Sequence, residues 1–239
     1  MSLAFYVTAS GTELGKTLVT AALAWQLHQQ HRSVYAIKPI ASGVDATQLQ
    51  RSDTGILLAV QGKEISLENA NAITPWRFSA PVSPHLAATQ QENSLTAKDI
   101  RLFCESAIAQ PSITLIEGAG GVLSPLVQGY TQADLLHDLS IPAIVVVGSY
   151  VGAISHSLCT LEAMQARGLQ VAAVVISESE NSATSLDETR CSIRSHMQMP
   201  VPLFTVPRIC PKKDIPLWQQ LPPLTGILDN DHTTHRHAG

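Results

Sequence analysis

The chain alternates short, wholly apolar runs with longer segments in which apolar residues recur at three- and four-residue spacing. Ala4-Phe5-Tyr6-Val7-Thr8, Val34-Tyr35-Ala36-Ile37, Ile113-Thr114-Leu115-Ile116 and Ala143-Ile144-Val145-Val146-Val147 read as buried strands, and 169–176 and 202–206 extend the series. Between them, 17–30 places Leu18, Ala21, Ala22, Trp25 and Leu27 on one helical face. Further helices are predicted at 53–60 with Ser52 as a cap, and at 96–109 behind the capping-box-like Thr96-Ala97-Lys98-Asp99. Two more are predicted at 154–167, closed by Gly168, and at 184–197. The stretch 64–84 breaks the rhythm, with Thr74-Pro75, Ala80-Pro81 and Ser83-Pro84 marking turns.

Strands without polar alternation are covered on both faces. The predicted fold class is therefore α/β, a mostly parallel sheet flanked by helices. Ligands of such sheets sit beyond the carboxyl ends of the strands. The polar and glycine-rich clusters fall at those ends: after Thr8, at Lys38, at Glu117 and after Gly148. They predict one shared site.

A length of 239 residues fits a single domain over 1–228, followed by a polar tail over 229–239 that holds His232, His235 and His237. The net charge of −4 lacks the basic excess of a nucleic-acid or membrane-surface binder, so neither partner is expected. Cys104, Cys159, Cys191 and Cys210 form no C-x-x-C pair, which favours reduced thiols in a cytoplasmic protein. The N-terminus reads as no signal peptide. The longest apolar run, 141–148, is strand-sized.

Candidate chemistry begins at Gly11-Thr12-Glu13-Leu14-Gly15-Lys16-Thr17, between the first strand and the first helix. Backbone N–H groups there can face an anion, and the helix N-terminus adds a positive dipole end. Lys16 supplies a mobile charge for phosphates, and the Thr17 hydroxyl a ligand for Mg²⁺. This makes a P-loop NTPase-like domain that uses ATP and Mg²⁺, although Ser10 stands where the strict pattern has glycine. Thr17, Asp53 and Glu117 form a hard-oxygen set that suits Mg²⁺, with helix capping as the competing role for Asp53. Lys38 follows a buried strand and is a second candidate cation. Ser42 reads as a turn hydroxyl, and Glu13 either caps the loop or meets a ligand. His85 and His156 read as structural histidines bonded to backbone.

Five separated segments together resemble one family, dethiobiotin synthetase. They are Ala9-Ser10-Gly11-Thr12-Glu13-Leu14-Gly15-Lys16-Thr17, Lys38-Pro39-Ile40-Ala41-Ser42-Gly43, Pro81-Val82-Ser83-Pro84-His85, Glu117-Gly118-Ala119-Gly120-Gly121, and 146–152. They occur in the family's order over the first two-thirds of the chain, and the match fades after 179. The resemblance implies ring-closing carboxylation of 7,8-diaminononanoate with CO2 and ATP to dethiobiotin, ADP and phosphate, through a carbamate and a carbamic–phosphoric anhydride. The substrate supplies both nucleophiles, so the protein positions groups and offsets charge. Lys16 and Lys38 take the catalytic places. The implied nucleotide site comprises Glu13, Leu14, Gly15, Lys16, Thr17, Leu18, Asp53, Glu117, Gly118, Ala119 and Gly120, with Ser177, Glu178 and Pro207 near the base. The implied substrate contacts are Thr12, Ser42, Gly120, Gly152, Ala153, Ile154 and Ser155, the last four from a helix start that the family places across a homodimer interface.

The chain departs from the family pattern at several positions. Ala9 replaces the first loop glycine, and Gly11 is expected to restore the freedom lost there. Ser177-Glu178 stands for Asn-Asp, which leaves base selectivity open, and Ser155 stands for an asparagine. Three other readings compete. A related amidotransferase would need a second domain with a cysteine nucleophile. An ATP-driven positioning switch would carry an extra lysine early in the loop, and 7–14 contains none. A degenerate homologue would bind nucleotide without turnover.

Overall fold

A computed structural model describes residues 3–228; the predicted tail, 229–239, lies outside the described residues. The first half of the chain runs β1 (Ala4–Ala9), α1 (Lys16–Gln29), β2 (Val34–Ile37), β3 (Ile40–Ala41), α2 (Asp53–Val60), α3 (Leu67–Ile73), β4 (Trp76–Arg77), α4 (Pro84–Gln90) and α5 (Ala97–Ile108). The second half runs β5 (Ile113–Glu117), β6 (Pro125–Val127), β7 (Tyr130–Thr131), α6 (Gln132–Leu139), β8 (Ala143–Val147), α7 (Ala153–Ala166), β9 (Val171–Ser177), α8 (Leu186–His196) and β10 (Leu203–Val206). A 3₁₀ turn, Leu217–Gln220, follows.

Six strands form one sheet in the order β10-β9-β8-β1-β5-β2. Every pairing in it is parallel. β1 pairs with β5 on one side and β8 on the other. The strand order therefore reverses at β1, which opens a crevice beyond its carboxyl end. All residues of β1, β5 and β8 are buried, as expected for strands covered on both faces. β3 with β4, and β6 with β7, make two small separate ladders.

The predicted capping signals form. Ser52 Oγ accepts from the Gly55 N–H (3.1 Å), and Thr96 with Asp99 makes a complete capping box. α3, α4 and α6 were not legible in the pattern. α4 begins at Pro84, one of the prolines that mark turns; proline also suits the first helical position, where no N–H bond is lost. α6 starts behind a second capping box, Thr131 with Asp134. His85 bonds the Ser83 hydroxyl (3.1 Å) and His156 the Tyr150 hydroxyl (2.8 Å), so neither ring is held by backbone as expected. All four cysteines are unpaired. Among the described residues, no helix is long and apolar enough to cross a membrane.

Candidate active site

The loop after β1 supplies the first part of the site. Ala9 is the last residue of β1, in register with Val146, and is extended. It needs no glycine-like freedom. Nor does Gly11 provide any, against expectation; the left-handed conformations fall at Glu13 (φ 56°) and Gly15 (φ 88°). Gly15 is the N-cap of α1, and a Cβ there would lie 3.1 Å from Ser177 Oγ. The turn is thus compact enough to bring β9 against the phosphate loop.

Lys16 opens α1, and its Nζ donates back to the Gly11 carbonyl (3.1 Å), so the ammonium lies over the loop. Burial pushes its pKa down to about 8, and the nearby Lys38 charge pushes the same way. Lys38, one residue beyond β2, is 6% exposed. Its Nζ donates to Asp53 Oδ2 and to Glu117 Oε1 (2.8 Å). Burial disfavours its charge, but the two carboxylates outweigh burial and hold the ammonium above its usual range. The Asp53 carboxyl is desolvated too, yet Lys38 keeps it below the ordinary carboxylate range. Asp53 is free for this role because Ser52, not Asp53, caps α2.

Glu117 ends β5 and is fully buried. Oε1 accepts from Thr17 Oγ1 (2.6 Å) as well as from Lys38, while the buried Oε2 has no hydrogen-bond partner among the described residues. An orphaned buried carboxylate oxygen is costly unless a ligand meets it. With the Thr17 hydroxyl and Asp53 beside it, the donor set is all oxygen and fits Mg²⁺, which takes few protein ligands and completes its shell with phosphate and water.

A strut that the sequence did not reveal fixes the 117–121 loop. Tyr6 Oη donates to Gln132 Oε1 (3.0 Å), and Gln132 Nε2 donates to the carbonyls of Ala119 (2.5 Å) and Gly121 (2.7 Å). Gly118 is required for it, since a Cβ there would sit 1.8 Å from Gln132 Oε1. A lone glutamine 15 residues downstream carries no pattern, so no sequence signal points to it.

Gly15, Lys16, Thr17, Lys38, Asp53 and Glu117 line one cavity of about 580 Å³, together with Thr12, Glu13, Leu14, Leu18, Ser42, Ala119 and Gly120; the predicted nucleotide contact Gly118 does not line it, nor do Tyr6 and Gln132. Ser42 Oγ and the Glu13 carboxylate bond no described residue and are open to a ligand. The cavity also takes in Ile56, Leu217 and Trp218, which sequence reading missed. A second cavity of about 860 Å³ shares 11–15 with the loop and adds Ser177, Glu178 and Pro207, plus Tyr150 and Arg208, which were also missed. Glu178 does not point freely into it; Oε2 accepts the Arg208 N–H (2.8 Å). Gly152, Ala153, Ile154 and Ser155 line neither cavity. Gly152 caps α7, and the Ala153 N–H already donates to the Tyr150 carbonyl (2.9 Å).

Comparison with known proteins agrees with this geometry. The sequence model of a family described as an AAA domain matches residues 4–224. The ATP-dependent dethiobiotin synthetase BioD of Methylobacterium nodulans is 42% identical over 197 residues, 80% of this chain and 88% of the relative. The enzyme of the same name from Acidiphilium cryptum is 39% identical over 203 residues, 84% of this chain and 91% of the relative. Among solved structures, a ParA family ATPase from Chlorobium tepidum superposes with a TM-score of 0.53 at 13% identity, over 87% of this chain and 84% of that one. That likeness is one of fold, a P-loop sheet flanked by helices. With relatives matched over most of their own length, the chain belongs to the family of ATP-dependent dethiobiotin synthetases.

Proposed function

We propose that the chain closes the ureido ring of dethiobiotin from 7,8-diaminononanoate, CO2 and ATP. The observation that carries this reading is that one cavity at the sheet's reversal point holds two buried lysines, Lys16 over the phosphate loop and Lys38 paired with the Asp53 and Glu117 carboxylates. No cysteine or histidine among the described residues lines that cavity, in keeping with a reaction whose nucleophiles come from the substrate.

In this reading one substrate amine takes up CO2 as a carbamate, whose oxygen attacks the γ-phosphorus of ATP, breaks its bond to the bridging oxygen and releases ADP. The second amine then attacks the carbonyl carbon and expels phosphate. Backbone N–H groups of the 11–17 loop and Lys16 hold the phosphates. Lys38 offsets the repulsion between carbamate and triphosphate. Ser42 and Glu13 face the amines. Thr17, Asp53 and Glu117 hold Mg²⁺, which when bound neutralises charge on the phosphate oxygens. The second cavity receives the base beside Ser177, Glu178 and Pro207.

The 152–155 turn lines neither of these two cavities, and in this reading it meets the substrate's carboxylate from another copy. The working unit in this reading is a homodimer. A single domain over 1–228 and a cytoplasmic location complete the reading, and the unpaired cysteines support the latter.

The direct test is phosphate release from Mg-ATP with the diamine or bicarbonate left out in turn. Release is expected only with both; equal release without the diamine would overturn the ligase reading.

Lys16 gives a pH prediction. The free lysine titrates near pH 8, and bound phosphates raise its pKa, so nucleotide binding takes up a proton. Calorimetry at pH 8 in buffers of different ionisation enthalpy should show uptake of about half a proton. Affinity should therefore weaken as pH rises above 8. Lys16→Met should abolish the uptake; unchanged uptake in that variant would place the titration elsewhere.

A further inference from the structure

The cavity that holds Lys16 and Lys38 has an apolar side that the charge chemistry leaves unused. It is made by Leu18 of α1, Ile56 of α2, and Leu217 and Trp218 of the 3₁₀ turn. The turn packs on α1, and Trp218 rests partly buried against the core. Leu217 also lines the second cavity, so the turn stands where the two cavities meet.

The segment carrying this pair is tied down at both ends. Upstream, the Glu178 carboxylate accepts the Arg208 N–H (2.8 Å). Downstream, the Gln26 side chain of α1 donates to the Pro222 carbonyl (2.9 Å) and accepts the Leu224 N–H (2.7 Å), and Leu221, Leu224 and Ile227 are buried. Between these ties, Gln220 Nε2 donates to the Ile215 carbonyl (2.8 Å). A large ring is thereby held over a cavity whose other walls are charged and would otherwise be wet.

We infer that Trp218, backed by Leu217, is a shielding residue that keeps water from the carbamic–phosphoric anhydride; this rests on the ligase reading above. The anhydride carbonyl has two fates. Attack by the second amine forms the C–N bond, breaks the C–O bond to phosphate and releases a proton, giving ring and phosphate. Attack by water at the same carbon breaks the same bond and gives carbamate and phosphate; the carbamate loses CO2 and returns the diamine. ATP is then consumed without a ring. Excluding water is the way a site suppresses the second fate.

The test measures phosphate and dethiobiotin in the same sample, with the full chain, Mg-ATP, diamine and bicarbonate. The unaltered protein should give about one phosphate per ring, the ratio of the ring-closing route. If it releases phosphate and forms no ring, the ligase reading fails, whatever Trp218 does. Trp218→Ala should continue to release phosphate while ring yield falls, to roughly two or more phosphates per ring. Trp218→Phe should bring the ratio back towards one. Leu217→Ala, at a more exposed position, should move the ratio in the same direction as Trp218→Ala and serves if that variant does not fold. A loss of folding alone would lower phosphate and ring together and leave the ratio unmoved. A ratio of one in the folded Ala variants overturns the inference.

Discussion

Lys38→Ala should abolish ring closure while leaving much of the nucleotide binding in place. In the proposed reading Lys16 and the N–H groups of the 11–17 loop hold the phosphates, whereas Lys38 is bonded between Asp53 and Glu117. In that reading its ammonium meets charge that appears only when carbamate approaches triphosphate. Loss of a group that acts chiefly on that encounter lowers kcat far more than it raises the Kd for ATP. The loss of one such preorganised charge costs on the order of 10²–10³ in kcat. Steady-state rates of dethiobiotin formation, set beside calorimetric binding of ATP, would separate the two effects. Wild-type turnover would remove Lys38 from the reaction, and a matched loss of ATP affinity would make it a phosphate holder instead. Arginine should not rescue the variant, because the space between the buried Glu117 and the half-exposed Asp53 fits a point charge rather than a planar fork.

Much of this site was legible because its parts lie at strand ends. The apolar runs at 4–8, 34–37, 113–116 and 143–147 could be nothing but covered strands, and the residues just beyond them had to face the crevice. Lys38 and Glu117 followed from that rule, Thr17 followed from the phosphate-loop pattern, and the family resemblance then gave Lys38 its catalytic place. Asp53 was ambiguous in the sequence. Only the coordinates show that the neighbouring Ser52 takes the capping bond and leaves the carboxylate to Lys38. What stayed hidden depends on contacts between residues far apart. The Gln132 strut reaches from α6 to the 117–121 loop and to Tyr6 on β1, a separation of 126 residues in the last case. Trp218 and Leu217 come from the final stretch, where the apolar pattern is short and broken by prolines, so nothing local says that they return to α1. Gly11 misled for a related reason. Composition says that a glycine is present, whereas the torsions say that Glu13 and Gly15 make the turn.

Glu117→Gln should weaken both the fold and the metal dependence, because in the proposed reading one carboxylate serves both. In the protein as it stands, Glu117 Oε1 binds the Thr17 hydroxyl and the Lys38 ammonium, with no water-exposed surface on the side chain. The amide keeps an oxygen for one of these but removes the negative charge, and it places a donor where Oε2 had no protein partner. Lys38 would be left with the half-exposed Asp53 alone. Removing one partner from a buried pair costs about 3 kcal/mol, since the remaining charge stays desolvated. For a chain of this size that lowers Tm by roughly 5–10 °C, measurable by thermal melting without nucleotide. A titration of phosphate release with Mg²⁺ should shift to higher concentration in the same variant, since one of the three proposed oxygen ligands would lose its charge. Unchanged melting and unchanged Mg²⁺ dependence would sink both roles. The coupling itself is open to a cycle. If the cost arises from a stranded ammonium, Lys38→Met combined with Glu117→Gln should melt closer to the unaltered protein than the two single losses add up to. The double variant would stay inactive, because stability is restored by removing the charge that the reaction requires.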